Sequence, residues 1–384
     1  MVFEKCSSPP ESPSVAILAL TKHGANLALQ LQGQLPGSVC YVPVRHRFAL
    51  AMGAVGFDRL ADALQWVWPK FSALICVMAT GIVVRQIAPH LSHKKDDPAV
   101  VVLDERGKFV ISLVSGHLGG ANRLAREVAR LTGGQAVITT ATDVQKRPAL
   151  DLIAREAGLE IENFEMLSRV ARALLEEEPL WIYDPEGRLR SYLAHEPSID
   201  WLTQIPDVSA SSAAVPIQEN LNGCSEAPDY AGGHAENPGV WVSETLVPSS
   251  LKCLVLRPRN LVVGIGCNRG TPAGEILDLL REVFLRENLS AASIRNLSSI
   301  DLKADETGLL GAAAALDRPV YFYPRDAVEK ITVPNPSEQV ARHIGVSSVC
   351  EATALLSARS QTLIVPKQKT LNVTLAVARV ACPS

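Results

Sequence analysis

AVVVLDERGKFVISLVSGHLGGANRLAREVARLTGGQAVITTATD, residues 99–143, holds the alternation from which much of the chain is built. Two runs of Val, Ile and Leu flank the polar turn D-E-R-G-K, which predicts two strands. The chain then passes through Ser115, Gly116, His117, Gly119, Gly120 and Asn122 and turns helical. QAVITTATD predicts a further strand over 135–143. Near-continuous apolar strands alternating with helices are the pattern of a parallel sheet covered on both faces.

The same alternation runs towards the N-terminus. SVAILALT (14–21), SVCYVPV (38–44) and SALICVMAT (72–80) read as strands, with helical stretches at 27–35 and 57–71 and a short helix within 81–91. Residues 148–192 are mainly helical, ending in a strand at LWIYD. From roughly 195 to 238 the composition shifts to Ser, Ala, Pro, Asn and Gly, which predicts an irregular insert. WVSET and KCLVLRP predict the strands that close this region. A second strand–glycine turn–helix unit starts at NLVVGIGCNRGTPAGEILDLLREVFLREN (260–288). The expected fold is α/β: an N-terminal parallel-sheet domain over 1–145, a smaller middle region over 146–258, and a second α/β domain over 259–384.

Whole-chain properties exclude several functions. With 384 residues the chain exceeds one compact core. A net charge of −3, no long basic run and only 5% aromatic residues argue against a nucleic-acid partner. None of the 8 cysteines stands at C-x-x-C spacing, so buried free thiols are expected. No apolar run reaches the length of a membrane span, and the polar, proline-rich start does not read as a signal peptide. The cytoplasm is therefore the expected location.

In an open parallel sheet, ligands bind beyond the carboxyl ends of the strands. The turns LTKHGAN (20–26), ATGIVVRQ (79–86), VSGHLGGAN (114–122) and GIGCNRGT (264–271) are expected there, those of one sheet sharing one rim. Each alone is also an ordinary tight turn. Gly264, Gly266 and Gly270 follow G-x-G-x-x-x-G, one residue out of step with the dinucleotide fingerprint, and no Walker A or G-x-S-x-G sequence is present. Ser115 is expected to cap a helix. His117, in a turn and off any apolar face, suits a general acid or base or a ligand contact. Asp143 is a candidate to orient His117, to act as base, or to cap the helix beginning near Pro148.

Around 85–95, Arg85, His90, His93, Lys94 and Lys95 form a positive patch suited to a polyanion. Two histidines three apart with no third partner predict no metal site. Arg269 is expected to hold an anion. Lys303, Asp305 and Glu306 stand before a helix and Glu351 opens another, where acidic residues favour the helix start.

Residues 81–143, with VGIGCNRGT, SSIDLKADETGLL, VSSVCEATALLSA and LNVTLAVARV near the other end, closely resemble the cobalt-precorrin-5A hydrolase (CbiG) family of anaerobic cobalamin biosynthesis. The resemblance implies a cobalt-carrying tetrapyrrole substrate with many carboxylates and a δ-lactone. Water opens the lactone and acetaldehyde leaves, giving cobalt-precorrin-5B. It implies no cofactor, since cobalt arrives with the substrate, and other pathway enzymes as partners. On that reading His117, Asp143 and Ser115 are the catalytic candidates. Gly81, Arg85, Lys94, Gly116, Gly119, Gly120, Asn122, Thr140, Gly264, Gly266, Arg269, Lys303 and Glu306 would bind substrate, and N–H groups around Gly119 and Gly120 would hold the lactone oxyanion. A corrinoid carrier without chemistry is the alternative implied, because the C-terminal unit resembles a domain that also occurs as a separate protein.

Overall fold

Apolar runs bounded by turn residues become strands throughout the computed structural model, which describes residues 15–92, 96–204, 237–335 and 348–380. The described residues group into two units that meet at Leu152 and Ile153. The first holds a seven-stranded sheet: β1 (Val15–Ala19), β2 (Val39–Pro43), β3 (Val55–Phe57), β4 (Ala73–Val77), β5 (Ala99–Leu103), β6 (Phe109–Val114) and β7 (Gln135–Val137), in the order β3-β2-β1-β4-β5-β6-β7. Every residue of β1, β4 and β5 is buried, as expected of strands covered on both faces. Burying each Ile, Leu or Val of this core is worth about 1.5–3 kcal/mol.

One pairing departs from the expected parallel sheet. β5 and β6 run antiparallel, with Leu103 opposite Val110 and Val100 opposite Val114. The D-E-R-G-K turn allows nothing else, because a parallel crossover needs a dozen or more residues. Asp104 locks the turn by accepting from the Arg106 and Phe109 backbone N–H groups, at 2.9 and 2.7 Å. β7 is parallel to β6, so these two strands run against the rest of the sheet.

The consequence is positional. β6 ends beside the start of β5, and Ser115 Oγ donates to the Asp97 carbonyl at 2.9 Å just ahead of β5. The turns after β1 and β4 open at the opposite edge. A strand of five residues separates the edges by about 17 Å. The glycine turns of this sheet therefore do not share one rim.

The second unit holds two five-stranded sheets. The first joins β8 (Leu159–Ile161), β9 (Leu180–Tyr183), β10 (Ile199–Leu202), β11 (Gly239–Val242) and β12 (Leu254–Pro258), in the order β10-β9-β11-β12-β8. β10 falls within the stretch expected to be irregular, and residues 205–236 of that stretch lie outside the described residues. The other sheet joins β13 (Leu261–Cys267), β14 (Ile294–Ile300), β15 (Val320–Tyr323), β16 (Leu363–Lys369) and β17 (Val373–Arg379), in the order β15-β14-β13-β17-β16. β13, β14 and β15 are parallel, and β16 and β17 complete the sheet antiparallel. Among the described residues no helix is long and apolar enough to cross a membrane.

Candidate active site

Side chains converge where β6 and β7 end. β6 passes through Ser115–Gly120 into the helix Ala121–Thr132. β7 stops at Val137, earlier than its sequence predicts, and Asp143 lies in the short helix Ala141–Gln145. The helix Leu150–Glu156 follows.

Asn122, only 4% exposed, ties the site together. Its Oδ1 accepts from Ser112 Oγ at 2.6 Å, and its Nδ2 donates to Thr140 Oγ1 at 3.0 Å and to Asp143 Oδ2 at 2.8 Å. Gly116 makes room for this side chain: a Cβ there would stand 2.9 Å from Asn122 Oδ1. Asp143 also accepts from Thr140 Oγ1 at 2.8 Å and from Arg126 Nη2. His117 Nε2 lies 3.1 Å from Asp143 Oδ2 and 2.9 Å from Thr142 Oγ1. Its other nitrogen, Nδ1, faces Asp151 Oδ2 at 3.6 Å, long for a hydrogen bond but within ion-pair range.

These contacts set the charges. Asp151 foremost, and then Asp143, hold the His117 pKa above the usual imidazole value against the opposing effect of burial. Burial would raise the Asp143 carboxyl, but donation from Arg126, Thr140 and His117 outweighs it and leaves the pKa lowered. His117 is thus favoured as imidazolium, ready to give a proton. Asp143, surrounded by donors, is an anchoring anion and a weak base.

Ser115 does not cap the helix. It adopts a left-handed conformation at φ +58° and turns its hydroxyl to Asp97. The helix start is closed by the loop's own carbonyls: Gly120 N–H donates to His117 O at 2.9 Å, Ala121 N–H to Ser115 O at 3.1 Å and Asn122 N–H to Gly116 O at 2.9 Å. Gly120 therefore does not offer the expected oxyanion donor. Gly119 packs where a Cβ would fall 2.4 Å from Ser115 Cβ. Both glycines line a cavity of about 450 Å³ with Val15, Ala73, Ala99 and Arg123.

The family models match along most of the chain: Cobalamin synthesis G N-terminal at 62–143, Cobalamin biosynthesis central region at 148–258 and Cobalamin synthesis G C-terminus at 261–378. The chain is 32% identical to the cobalt-precorrin-5A hydrolase of Priestia megaterium over 371 residues, 94% of each protein. It is 32% identical to that of Salmonella typhimurium, over 91% of this chain and 93% of the relative. The chain belongs to the cobalt-precorrin-5A hydrolase (CbiG) family. Protein CobE of Sinorhizobium sp is 35% identical over 121 residues, 31% of this chain and 79% of CobE.

In this CbiG-family chain the first sheet separates Gly81 and Arg85 from His117. Gly81 opens the helix Thr80–Ile87 at the opposite sheet edge, where Arg85 donates to the Gly81 carbonyl at 3.2 Å. Lys94, with His93 and Lys95, lies outside the described residues. In the second unit Arg269, expected to await an anion, is exposed and pairs with Asp305 at 2.8 Å. Gly264 serves packing: a Cβ there would fall 1.8 Å from the Cys350 carbonyl. Glu306 is buried and accepts from the Gly270 N–H at 2.7 Å, with the Lys303 ammonium 3.4 Å away. Glu351 stands in the first turn of the helix Val349–Ala358, as expected. It is wholly buried and accepts from Asn335 N–H and Nδ2 and from Lys367 N–H.

Arg126 and Asp151 escaped the sequence reading. Arg126 had a signal, since it follows Asn122 by one helical turn on the same face. Asp151 had none, because an acidic residue in a helix's first turn is the ordinary expectation.

Proposed function

We propose that this chain hydrolyses the δ-lactone of cobalt-precorrin-5A at the His117 site, releasing acetaldehyde and giving cobalt-precorrin-5B. The observation that carries the reading is the His117 ring set between Asp143 and Asp151 in a chain of this family. Water bonds to the lactone carbonyl carbon and the ring C–O bond breaks. The leaving oxygen takes a proton from the His117 imidazolium, which solvent then replenishes, and the attacking water gives its proton to solvent. The freed hydroxyl then loses its proton as its C=O bond forms, and the C–C bond to the macrocycle breaks, releasing acetaldehyde; the electron pair stays on the macrocycle, which takes up a proton. Asp151 and Asp143 keep the ring charged and oriented, and Asn122, Thr140 and Arg126 keep Asp143 in place. Cobalt enters with the substrate, and the protein's own residues supply the acid chemistry. A location in the cytoplasm accords with a biosynthetic enzyme acting on a soluble intermediate.

Anaerobic incubation of the purified protein with cobalt-precorrin-5A, followed by an acetaldehyde assay and corrinoid mass measurement, tests the proposal. Catalytic release with the matching mass loss is expected. Tight binding without release would instead favour the carrier role.

A further inference from the structure

The C-terminal sheet carries a cavity of about 180 Å³ beyond the carboxyl ends of β13 and β14. Its lining includes Gly266, Lys303, Ser348, Lys367 and Thr374, and among the described residues no carboxylate side chain lines it. The nearby acidic groups are turned elsewhere. Glu306 is committed to the Gly270 N–H and Lys303, and Glu351 to Asn335 and the Lys367 backbone. Glu275 accepts from Thr370 and Asn372. Among the described residues the Lys367 ammonium meets no carboxylate.

The cavity floor is apolar, from Ile300, Val349 and Val373. Gly266 keeps one wall clear, since a Cβ there would stand 2.6 Å from Thr374 Oγ1. At the turn between β16 and β17, Leu371 stands 92% exposed on the cavity rim.

A cation without an accompanying acid, as Lys367 is among the described residues, selects an anion. The volume sets its size, because pockets for whole drug-sized molecules hold about 300–1,000 Å³. A macrocycle does not fit, but one short carboxylate arm does, its methylenes on the apolar floor. We propose that this cavity grips a single carboxylate arm of a tetrapyrrole through Lys367, seconded by Lys303, while the ring lies outside against Leu371. The inference rests on the proposed function for its ligand class, and it adds Lys367, which no motif singled out, and Leu371.

The test is a fluorescence titration of the full chain with a water-soluble porphyrin octacarboxylate, run beside acetaldehyde assays on cobalt-precorrin-5A. Losing one charge-assisted contact corresponds to about 10–100-fold in affinity. Lys367→Gln should weaken porphyrin binding by at least about tenfold, and raise KM with kcat kept. Lys367→Arg should retain binding, which separates loss of the charge from misfolding. Leu371→Ser should weaken the porphyrin while leaving competition by free propionate unaltered. Propionate competing as well as the porphyrin binds, with Leu371→Ser silent, would overturn the ring contact and leave a small-anion site only. Unchanged affinity and KM in Lys367→Gln, in a protein that still releases acetaldehyde, would sink the inference and spare the hydrolase reading. Lys367-dependent binding with no acetaldehyde from the wild type would do the reverse.

Discussion

Replacing Asn122 with Asp changes one NH₂ group to oxygen in a side chain of the same shape, so its effect follows from a few distances. The Ser112 Oγ contact to Oδ1 at 2.6 Å survives. The group facing Asp143 Oδ2 at 2.8 Å turns from donor to anion. Loss of a hydrogen bond to a charged group costs about 1.5–3 kcal/mol. Two unit charges at that separation repel by about 1.5 kcal/mol even at the dielectric constant of water, and by about 6 kcal/mol at an effective value near 20. Asn122 is 4% exposed, so the water figure is a floor. The sum is at least about 3 kcal/mol, or roughly 10 °C of melting temperature for a unit of this size.

The strained pair has one escape, which is to share a proton. The folded variant then binds more protons than its unfolded chain, and its stability falls as pH rises. Wild-type Asp143 works with the opposite sign. Its lowered pKa contributes stability above the usual carboxylate range, lost as pH falls through the folded value. Circular-dichroism melts of both proteins from pH 5 to 8.5 should show a deficit for Asn122→Asp that is greatest at the alkaline end. A variant that melts with the wild type, or trails it by a constant interval at every pH, would refute the hydrogen-bond and charge assignments around Asp143.

Two further outcomes test the same site. The raised pKa of His117 means that its contribution to stability is complete below the ordinary imidazole value of 6.5 and is lost as pH rises through the folded value. The melting difference between wild type and His117→Gln should therefore be largest near pH 6 and narrow at alkaline pH, and a gap of constant width would contradict an imidazolium held by Asp151 and Asp143. Gly119→Ala should harm melting and acetaldehyde release more than Gly120→Ala. At Gly119 the new Cβ meets Ser115 Cβ at 2.4 Å and the Ser115 carbonyl at 2.8 Å. At Gly120 its nearest neighbour is Arg123 Nη2 at 3.7 Å, leaving about 1–2 kcal/mol for the left-handed backbone at φ +88°. Equal or reversed losses in paired melts and assays would show that space at Gly119 is not what selects glycine.

Much of this was readable along the chain. The apolar runs at 15–19, 73–77 and 99–103 announced buried strands, because burial on both faces demands unbroken hydrophobicity. The position of His117 in a polar turn made it a candidate, and the words SGHLGGAN and TTATD carried the family. The D-E-R-G-K turn even held the antiparallel pairing of β5 and β6, since so short a connection cannot cross over. The end of β7 was misjudged because TTATD suits an extended chain as well as the start of the helix Ala141–Gln145.

What the linear order determined by itself was local: strands, helices, the glycines, and the residue types gathered near each turn. Only the tertiary structure decided which of them meet. Reversal of β6 sends His117 to one edge of its sheet and leaves Gly81 and Arg85 at the other. Folding also brings Asp151 to the His117 ring and Asp305 to Arg269. The reason is physical. Secondary structure follows from hydrogen bonds and burial between near neighbours, whereas a proton's affinity and a charge's partner depend on distances of a few ångströms through space, which sequence separation does not encode.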